Sequence, residues 1–559
     1  MNTSEYPPGR KSKKSKGCLI GIITIGVILV GSVGLMAVLH LCPPLGPWPM
    51  PPWCGSESAG NNIQSTVEDY LKKNTNLGDI ANSILPEQDP KFISAIPKAL
   101  PSGEKAPLVF EIALPPTSGE VALQYKGQFY PMERQNDYYY SLSGLEATTG
   151  DTFTFSLTNA DRSTSELQAV FNGDPIRAAA NWPDTDGIQK PGFMRGHAVM
   201  DAGSNIPIIT RTGSIAPTLD AMLADGSQWF AYDYYWAYKD KAAPEIINEA
   251  SYDPSAASDE TLVKMIQMVH ERGLHYLLLT ELEWVITPEQ REEAGCCDSI
   301  DEWMAFDSKV WSEGSTFVNE MGEKLQANPD DMEVQAYWDR WFEQFGAYIL
   351  HAAQIAEDNQ VEALALGKQL VGAMVPENDA RWKALIADVR KVYHGQLTQA
   401  LWTNQYSDWS QMPWLGDLDF LTIYDYSAIS DADHPTLDEL TASFEKLNRA
   451  QYDALYKKFG KPLVFLNPFQ SRDHAARQDW FEPMASCPAD ISQDWLAQAD
   501  MYEAFFQAAS DEPWFGGMLT WGYWVTPNFP AEYCFQMSST VRGKPAELVI
   551  QRWFNLIQE

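Results

Sequence analysis

Acidic side chains stand near the predicted carboxyl ends of several apolar strands. Glu281 and Glu283 lie in "TELEW", Asp425 lies in "IYDYS", and Asp233 lies in "AYDYY". Two neighbouring carboxyl groups can act as general acid and general base when their surroundings separate their pKa values. Glu281 and Glu283 alternate along one strand and therefore share a face. These acids are the candidates for catalysis, and hydroxyl-binding or ion-paired structural roles are the alternative.

Aromatic and amide side chains also stand at predicted strand ends. An indole ring offers a large apolar face to the C–H face of a sugar, and an asparagine amide can bond to a hydroxyl. The candidates for substrate binding are Trp236, Trp284, Trp402, Asn404, Trp521 and Trp524. Core packing for the tryptophans and a turn role for Asn404 are the alternatives, because a chain with 20 tryptophans has many to bury.

Apolar strands and amphipathic helices alternate from residue 190 to residue 559. Eight strand-like runs, among them "WFAYDYYWAY", "HYLLLTELEWV" and "PLVFLNPFQ", are separated by helical runs such as "DETLVKMIQMVHERG". The alternation predicts an α/β fold, a (β/α)8 TIM barrel. A doubly wound open sheet is the alternative, but no glycine-rich phosphate loop follows the first strand. In a barrel, the carboxyl ends of all strands meet at one face, which would gather the candidate residues there.

Several runs of this region follow one another as in a known family. "WFEQFGAYILHAAQIAEDNQVEALALGKQL", "LGDLDFLTIYDYSAI", "GKPLVFLNPF" and "FGGMLTWGYW" resemble, in order and spacing, glycoside hydrolases of family 113. The resemblance covers roughly residues 190–559. It implies a (β/α)8 barrel of the retaining-glycosidase clan, in a family that includes endo-β-mannanases.

The resemblance also implies where the catalytic carboxylates would stand. The family pattern Gly-x-Glu at the fourth strand matches Gly367-Lys368-Gln369, and Lys-Pro-x-x-x-x-Glu at the seventh strand ends on Asn467. Both expected glutamates, acid/base and nucleophile, are therefore amides here. Glutamine cannot protonate a leaving oxygen and asparagine cannot form a glycosyl ester, so the retaining mechanism loses both of its groups. An inverting pair drawn from Glu281, Glu283 and Asp425 would need carboxyls about 6.5–9.5 Å apart.

The chain begins with a basic segment and an apolar run. Residues 1–17 contain "GRKSKKSKG", and residues 18–41 carry no charged side chain, which is long enough to cross a hydrocarbon core. This pattern predicts a cytoplasmic tail, one N-terminal transmembrane helix at the cell membrane, and extracytoplasmic domains after residue 41. A cleaved signal peptide is the alternative.

Two segments lie between the apolar run and the predicted barrel. Residues 42–104 form a proline-rich stalk and linker, and residues 105–178 show short alternating runs such as "DTFTFSLTN", which predict a small Ig-like β-sandwich. Six cysteines follow residue 41, and an oxidising compartment favours disulfides. Connectivity stays open, with Cys42–Cys54 and Cys487–Cys534 as the pairs to test.

The net charge of the chain restricts the classes of partner that it can bind. The formal net charge is −35, which argues against nucleic acid, because phosphate backbones bind cationic surfaces. The sequence contains no zinc-type Cys/His spacing, and we predict neither a metal nor a cofactor. A polysaccharide or a surface protein is the expected partner.

Three functions remain open at this stage. The first is a non-catalytic pseudo-glycosidase that binds a glycan or a partner. The second is an active glycosidase that cleaves a β-linked polysaccharide with a displaced carboxylate pair. The third is a structural subunit of a surface assembly.

Overall fold

The computed structural model describes residues 106–558. Not described within that range are residues 117–118, 159–163, 173–175, 182–184, 201–214, 249–257, 287–293, 297–299, 404–408, 478–491 and 525–536. The predicted tail, membrane span and stalk lie outside the described residues, as do Asn404 and the cysteines proposed to pair. Within the described part of the chain, no helix combines the length and apolarity needed to cross a membrane.

Residues 106–179 form two four-stranded sheets. The strands are β1 (Ala106–Ala113), β2 (Glu120–Tyr125), β3 (Gln128–Pro131), β4 (Glu133–Arg134), β5 (Tyr139–Ala147), β6 (Thr152–Thr158), β7 (Thr164–Val170) and β8 (Ile176–Ala179). One sheet has the order β4-β5-β1-β8 and the other the order β3-β2-β6-β7. In β2 and β6 every second side chain is buried, so each strand gives one face to a shared apolar core and one to solvent.

The rest of the described chain alternates strands with helices. The strands are β9 (Ile188–Gln189), β10 (Met194–Met200), β11 (Trp229–Asp240), β12 (Glu245–Asn248), β13 (His275–Trp284), β14 (Ala363–Ala365), β15 (Gln396–Thr398), β16 (Ala400–Trp402), β17 (Leu421–Tyr424), β18 (Leu463–Phe465), β19 (Phe515–Trp524) and β20 (Ile557–Gln558). The helices are α1 (Ile215–Ala224), α2 (Asp259–His270), α3 (Ile300–Ala327), α4 (Met332–Asp358), α5 (Asp379–Val392), α6 (Leu437–Leu447), α7 (Asp453–Phe459), α8 (Trp495–Ala509) and α9 (Pro545–Leu556). Four of these helices have an N-cap side chain that accepts a hydrogen bond from a backbone N–H group of the first turn. These residues are Ser258 for α2, Asp331 for α4, Thr436 for α6 and Asp494 for α8.

Nine parallel strands form a nearly closed ring. Their order is β15-β14-β13-β11-β10-β19-β18-β17-β16, and β15 and β16 are two halves of one strand interrupted at Gln399. The Gln399 side chain donates to the Gly367 carbonyl at 2.9 Å, so it ties the interrupted strand to the end of β14. The α/β barrel predicted from the sequence is confirmed.

Two apolar layers surround these strands. Inside the ring, side chains such as Ala231, Leu279, Ala365 and Leu519 fill the lumen. Outside it, a larger cluster packs the strands against the helices. The strands are therefore apolar on both faces, as expected for a parallel sheet covered by helices.

The sandwich packs against the barrel through its β4-β5-β1-β8 sheet. Arg177 of β8 forms an ion pair with Glu111 of β1 at 2.8 Å and another with Glu547 of α9. Just before β5, the Tyr138 hydroxyl donates to Asp500 of α8 at 2.7 Å. Tyr138 is fully buried within the outer barrel core, so the two domains share apolar contacts as well as polar ones.

Candidate functional site

The candidate site lies in the barrel lumen at the carboxyl ends of the strands. Successive side chains of a strand point to opposite faces, and Ala231 and Leu279 point into the lumen. Two residues further along the same strands come Asp233 and Glu281, which face the same way. Barrel enzymes place their chemistry at this end, so the alternation brings acidic side chains to that place.

A buried lysine joins the two carboxylates. Lys368, in the turn after β14, places its Nζ 2.5 Å from Glu281 Oε2 and 3.0 Å from Asp233 Oδ1. The residues Lys368, Glu281 and Asp233 are only 4%, 6% and 7% exposed. Retaining glycosidases hold two carboxyls about 5–5.5 Å apart with the sugar between them. Here Glu281 Oε2 and Asp233 Oδ1 both contact Lys368 Nζ, so the distance between them is at most the sum of the two ion-pair distances. The ammonium group occupies the space between the two carboxylates.

Burial sets the protonation of this cluster. Desolvation raises the pKa of Glu281 to about 7. The negative charge of Asp233 adds to this rise, whereas the Lys368 ammonium opposes it. Desolvation lowers the pKa of Lys368, but the two carboxylates outweigh it and raise that pKa above its usual value. Lys368 therefore stays cationic and cannot act as a nucleophile or a base.

Gln369 adopts a left-handed backbone conformation with φ of 60°. Its Oε1 is buried and has no hydrogen-bond partner among the described residues. The side chain lines a small cavity with Trp284 and Trp311. Gly367, two residues before Gln369, has φ of 157°. A Cβ at this position would lie 2.2 Å from Leu370 Cδ1. This tight turn presents Lys368 to the lumen and directs Gln369 towards the cavity beside α3.

Asn467 follows β18 and is fully buried. Within the described part of the chain, neither its Oδ1 nor its Nδ2 has a hydrogen-bond partner. Its backbone carbonyl accepts from the Tyr502 hydroxyl at 2.8 Å and from the Trp521 N–H at 3.2 Å. The position is thus rigidly held and polar, but an amide cannot form the ester that a nucleophilic carboxylate forms.

Asp425 points away from Glu281. Its neighbours Tyr424 and Tyr426 belong to the lumen cluster, so alternation turns Asp425 outwards. There it accepts from the Ser427 N–H at 2.9 Å and lies beside the Tyr452 hydroxyl. Burial raises its pKa against these bonds, which lower it. The structure therefore does not bring Asp425 together with Glu281, whereas Glu283 lies two residues beyond Glu281 on the same face of β13.

The candidate tryptophans divide between the two faces of the barrel. Trp402 and Trp521 lie in the lumen, where Trp402 stacks on Tyr424 with ring centroids 5.2 Å apart. Trp236 stacks on Tyr348 of α4 at 5.1 Å, and Trp284 stacks on Tyr238 at 4.3 Å. These last two pack on the helix side, so the structure does not place them in the lumen as the sequence analysis expected. For Trp524, only the backbone at the end of β19 is described.

Three lumen residues were not among the sequence candidates. Tyr424 and Tyr426 lie beside Trp402, and the Lys368 ammonium lies 5.9 Å from the Tyr424 ring centroid. The available signal was a single cation inside the apolar run "EALALGKQL", which is unusual for a buried strand end. Among the described residues, no group of three or more His, Cys, Asp or Glu side chains is placed to hold a metal ion.

A family model and several solved glycosidase structures match parts of this chain. The family model of Glycoside Hydrolase Family 113 matches residues 323–536. A β-mannanase of this family from Alicyclobacillus acidocaldarius, solved in complex with ManMIm, shares 21% identity over 66% of this chain and 98% of its own, with a TM-score of 0.47. A β-glucuronidase from Ruminococcus gnavus shares 14% identity over 80% of this chain and 63% of its own, with a TM-score of 0.38. No curated protein matches the chain.

The matched segment runs from α3 to beyond β19. It includes Lys368, Gln369 and Asn467, whereas Asp233 and Glu281 precede it. Residues 323–536 of this chain are therefore similar to glycoside hydrolases of family 113.

Proposed function

We propose that this protein is a non-catalytic glycosidase-like barrel that binds a glycan. The observation that supports the proposal most is the Lys368 ammonium, which forms ion pairs with both Asp233 and Glu281. A bridged carboxylate cannot approach a glycosidic bond without breaking a buried ion pair, which costs several kcal/mol. The two positions that resemble the catalytic glutamates of the family are the amides Gln369 and Asn467.

The lumen retains features suited to binding. Trp402, Tyr424, Tyr426 and Trp521 provide aromatic faces, and such faces pack on sugar rings. Outside the lumen cluster, Asn467 after β18 and Gln369 beside the α3 cavity add buried polar atoms that lack partners among the described residues. Buried polar groups without partners are costly, so a ligand hydroxyl that bonded to them would bind favourably. Binding without cleavage is therefore consistent with both the aromatic and the amide side chains.

The predicted anchor gives the proposal a cellular setting. We place the chain in the cell membrane through residues 18–41, with the barrel outside the cytoplasm. The uncharged run and its basic N-terminal flank support this. Cys296 is disulfide-bonded in the structure, which agrees with an oxidising compartment. The partner would then be a polysaccharide or a surface protein outside the cell.

The full chain, purified in detergent, tests this function directly. It would be incubated with β-mannans, glucans, xylans and amino-sugar polymers, and bound and released material would be analysed by mass spectrometry. We expect retention of a polymer without new reducing ends. Trp521→Ala, and Trp402→Ala as a second variant in the same lumen, should weaken retention about three- to tenfold. Met332→Ala, which removes a side chain that is 85% exposed on α4, is the control. New reducing ends would contradict the proposal.

An active glycosidase is the second candidate. The observation in its favour is that the pKa of Glu281 lies near 7, which is the range of a general acid at neutral pH. Its base would be Glu283, because Asp425 faces the helices. If reducing ends appear, Glu281→Gln should abolish their release, and the pH profile should lose its limb near 7. Release that survives Glu281→Gln would exclude this pair.

A structural subunit of a surface assembly is the third candidate. The near-complete burial of Lys368, Glu281 and Asn467 by the barrel's own side chains favours it. This function would be supported over the first two if the chain neither retained nor cleaved any polymer and was captured in a larger surface assembly.

A further inference from the structure

The sandwich has a second sheet that points away from the barrel contacts. All the polar contacts to the barrel described above come from the β4-β5-β1-β8 sheet or from the loop before β5. The β3-β2-β6-β7 sheet gives its inner side chains, such as Leu123 and Phe155, to the sandwich core. Its other face is turned to solvent. We call this surface the outer face.

Small polar side chains cover most of the outer face. Register places Phe129, Gln124, Thr154 and Gln168 in one row across the four strands. Three inter-strand spacings make that row about 14 Å wide. The other outward residues are Glu120, Ala122, Pro131, Thr152, Ser156, Thr158, Thr164, Glu166 and Val170. Hydroxyl and amide groups therefore dominate the surface.

Two strongly exposed large apolar side chains lie on the same face. Phe129 and Val170 are each 62% exposed. In the described part of the chain only two other large apolar residues are strongly exposed, Leu223 on α1 and Met332 on α4. Phe129 ends the central row, so an aromatic ring stands level with the Gln124 and Gln168 amides. Val170 lies on the opposite edge strand, β7, so Phe129 is a single exposed ring in a polar surround.

Charge restricts what this face can bind. The chain carries a net charge of −35, but the outer face holds only two acids, Glu120 and Glu166. At its edge Lys126 is ion-paired with Asp151 at 3.3 Å. Two acids without a base among the outward residues repel a polyanion, and they are too few to attract a cationic peptide strongly. A neutral, hydroxyl-rich polymer matches it, since rings stack on Phe129 and amides exchange hydrogen bonds with hydroxyls.

From these observations we infer that the outer face binds a neutral polysaccharide strand, with Phe129 as the stacking platform and Gln124 and Gln168 as hydroxyl-binding groups. This site is separate from the barrel lumen and does not depend on the function proposed for it. A chain with both sites would hold one polymer at two points, which raises its avidity.

Affinity electrophoresis of the full chain tests the inference. Gels would contain β-mannan, β-glucan or xylan, with carboxymethylated glucan as an anionic comparison. We expect at least one neutral polymer to retard the protein, and Phe129→Ala and Gln168→Ala to weaken that binding about three- to tenfold. Met332→Ala is the matched control, because it removes an even more exposed apolar side chain elsewhere. All variants should keep the thermal midpoint of the parent, as the altered side chains are exposed.

Several outcomes would overturn the inference. Unchanged retardation of Phe129→Ala and Gln168→Ala would show that the outer face does not bind the polymer. Retardation by the anionic glucan alone, or by no polymer, would reject a neutral glycan. A change of oligomeric state in Phe129→Ala during sedimentation would instead identify a protein contact. Trp521→Ala separates this site from the lumen, because it should leave the effect of Phe129→Ala intact.

Discussion

Lys368 is the residue on which the chemistry of the lumen depends. A buried ammonium loses its hydration, and only excellent ion-pair geometry offsets that cost. Asp233 and Glu281 provide the geometry, at 3.0 and 2.5 Å. Each of the three groups is tolerated inside the barrel because of the other two. The same arrangement engages both carboxylates in ion pairs with one cation.

Removal of this cation should destabilise the barrel. Lys368→Met leaves two carboxylates buried side by side, and breaking a buried pair costs about 3–5 kcal/mol. We expect a corresponding fall in the free energy of unfolding, measured by urea denaturation followed by tryptophan fluorescence.

A surface lysine provides the matched control. Lys383 pairs with Asp379 along α5 at 2.8 Å and is 44% exposed, so Lys383→Met should cost less than about 1 kcal/mol. Equal losses in the two variants would show that the Lys368 cluster is not a coupled buried network.

At the scale of elements, the barrel closes through very short approaches between strands. At Gly196 of β10, an added Cβ would lie 1.8 Å from the Trp229 carbonyl oxygen of β11. The obstacle is backbone in a paired strand, which cannot rotate away. Glycine at this position therefore allows β10 and β11 to lie side by side.

Alanine at Gly196 should disrupt this pairing. We expect Gly196→Ala to lower the free energy of unfolding by at least about 1–3 kcal/mol, the cost of overpacking. Gly346 of α4 is the contrasting position, because its Cβ would meet only Leu385 Cδ1 at 3.6 Å. Gly346→Ala should stabilise the protein by about 0.5–1 kcal/mol through helix propensity. Thermal denaturation of both variants checks the pair, and destabilisation by both would contradict this account.

At the scale of the whole molecule, Arg177 couples the sandwich to the barrel. It pairs with Glu111 and Glu547, and its Nη2 also donates to the Lys544 carbonyl at 2.6 Å. Burial raises the pKa of Glu547, but the Arg177 guanidinium outweighs burial and lowers it. One side chain thus neutralises a carboxylate on each domain.

Loss of Arg177 should uncouple the two domains. Arg177→Met leaves both carboxylates without their cation, at a cost of about 3–5 kcal/mol. We expect calorimetry to show two separated transitions where the parent shows one. Arg134→Met, which removes an exposed pair with Asp137 in the sandwich, is the control and should leave the calorimetric trace unchanged. A single transition in Arg177→Met would mean that the apolar contacts suffice for coupling.

The same junction should respond to pH through Asp500. Burial raises the pKa of Asp500 to about 7. The charges of Asp494 and Glu503 add to this rise, whereas the hydrogen bond from the Tyr138 hydroxyl opposes it. In the unfolded chain an aspartate titrates near about 3.9. The folded state therefore holds the proton more tightly, and stability falls as the pH rises from about 4 to about 7.

Asp500→Asn should remove that part of the pH dependence. The variant should be more stable than the parent at pH 8 and close to it at pH 4, as measured by thermal midpoints across this range. Asp388→Asn, on the surface of α5, is the control. A parent and an Asp500→Asn variant with parallel pH profiles would contradict a titrating group at this junction.

Individual strands of the barrel could be predicted from the sequence. "HYLLLTELEW" is β13 itself, and the alternation of such runs with helices was sufficient for the barrel. The amides Gln369 and Asn467 were also visible as departures from the family pattern. Such conclusions depend on local composition and order along the chain, which a sequence contains in full.

Only the tertiary structure decided which side chains face the lumen. Asp425, Trp236 and Trp284 turn to the helices, whereas Glu281, Trp402 and Trp521 turn inwards. These strands are apolar on both faces, so their hydrophobic pattern does not distinguish the lumen from the helix side. A shift of one residue exchanges the two faces, and only the register of the closed sheet determines it. The position of Lys368 between Asp233 and Glu281 likewise depends on three strands distant in sequence, because burial forces opposite charges on neighbouring strands to pair.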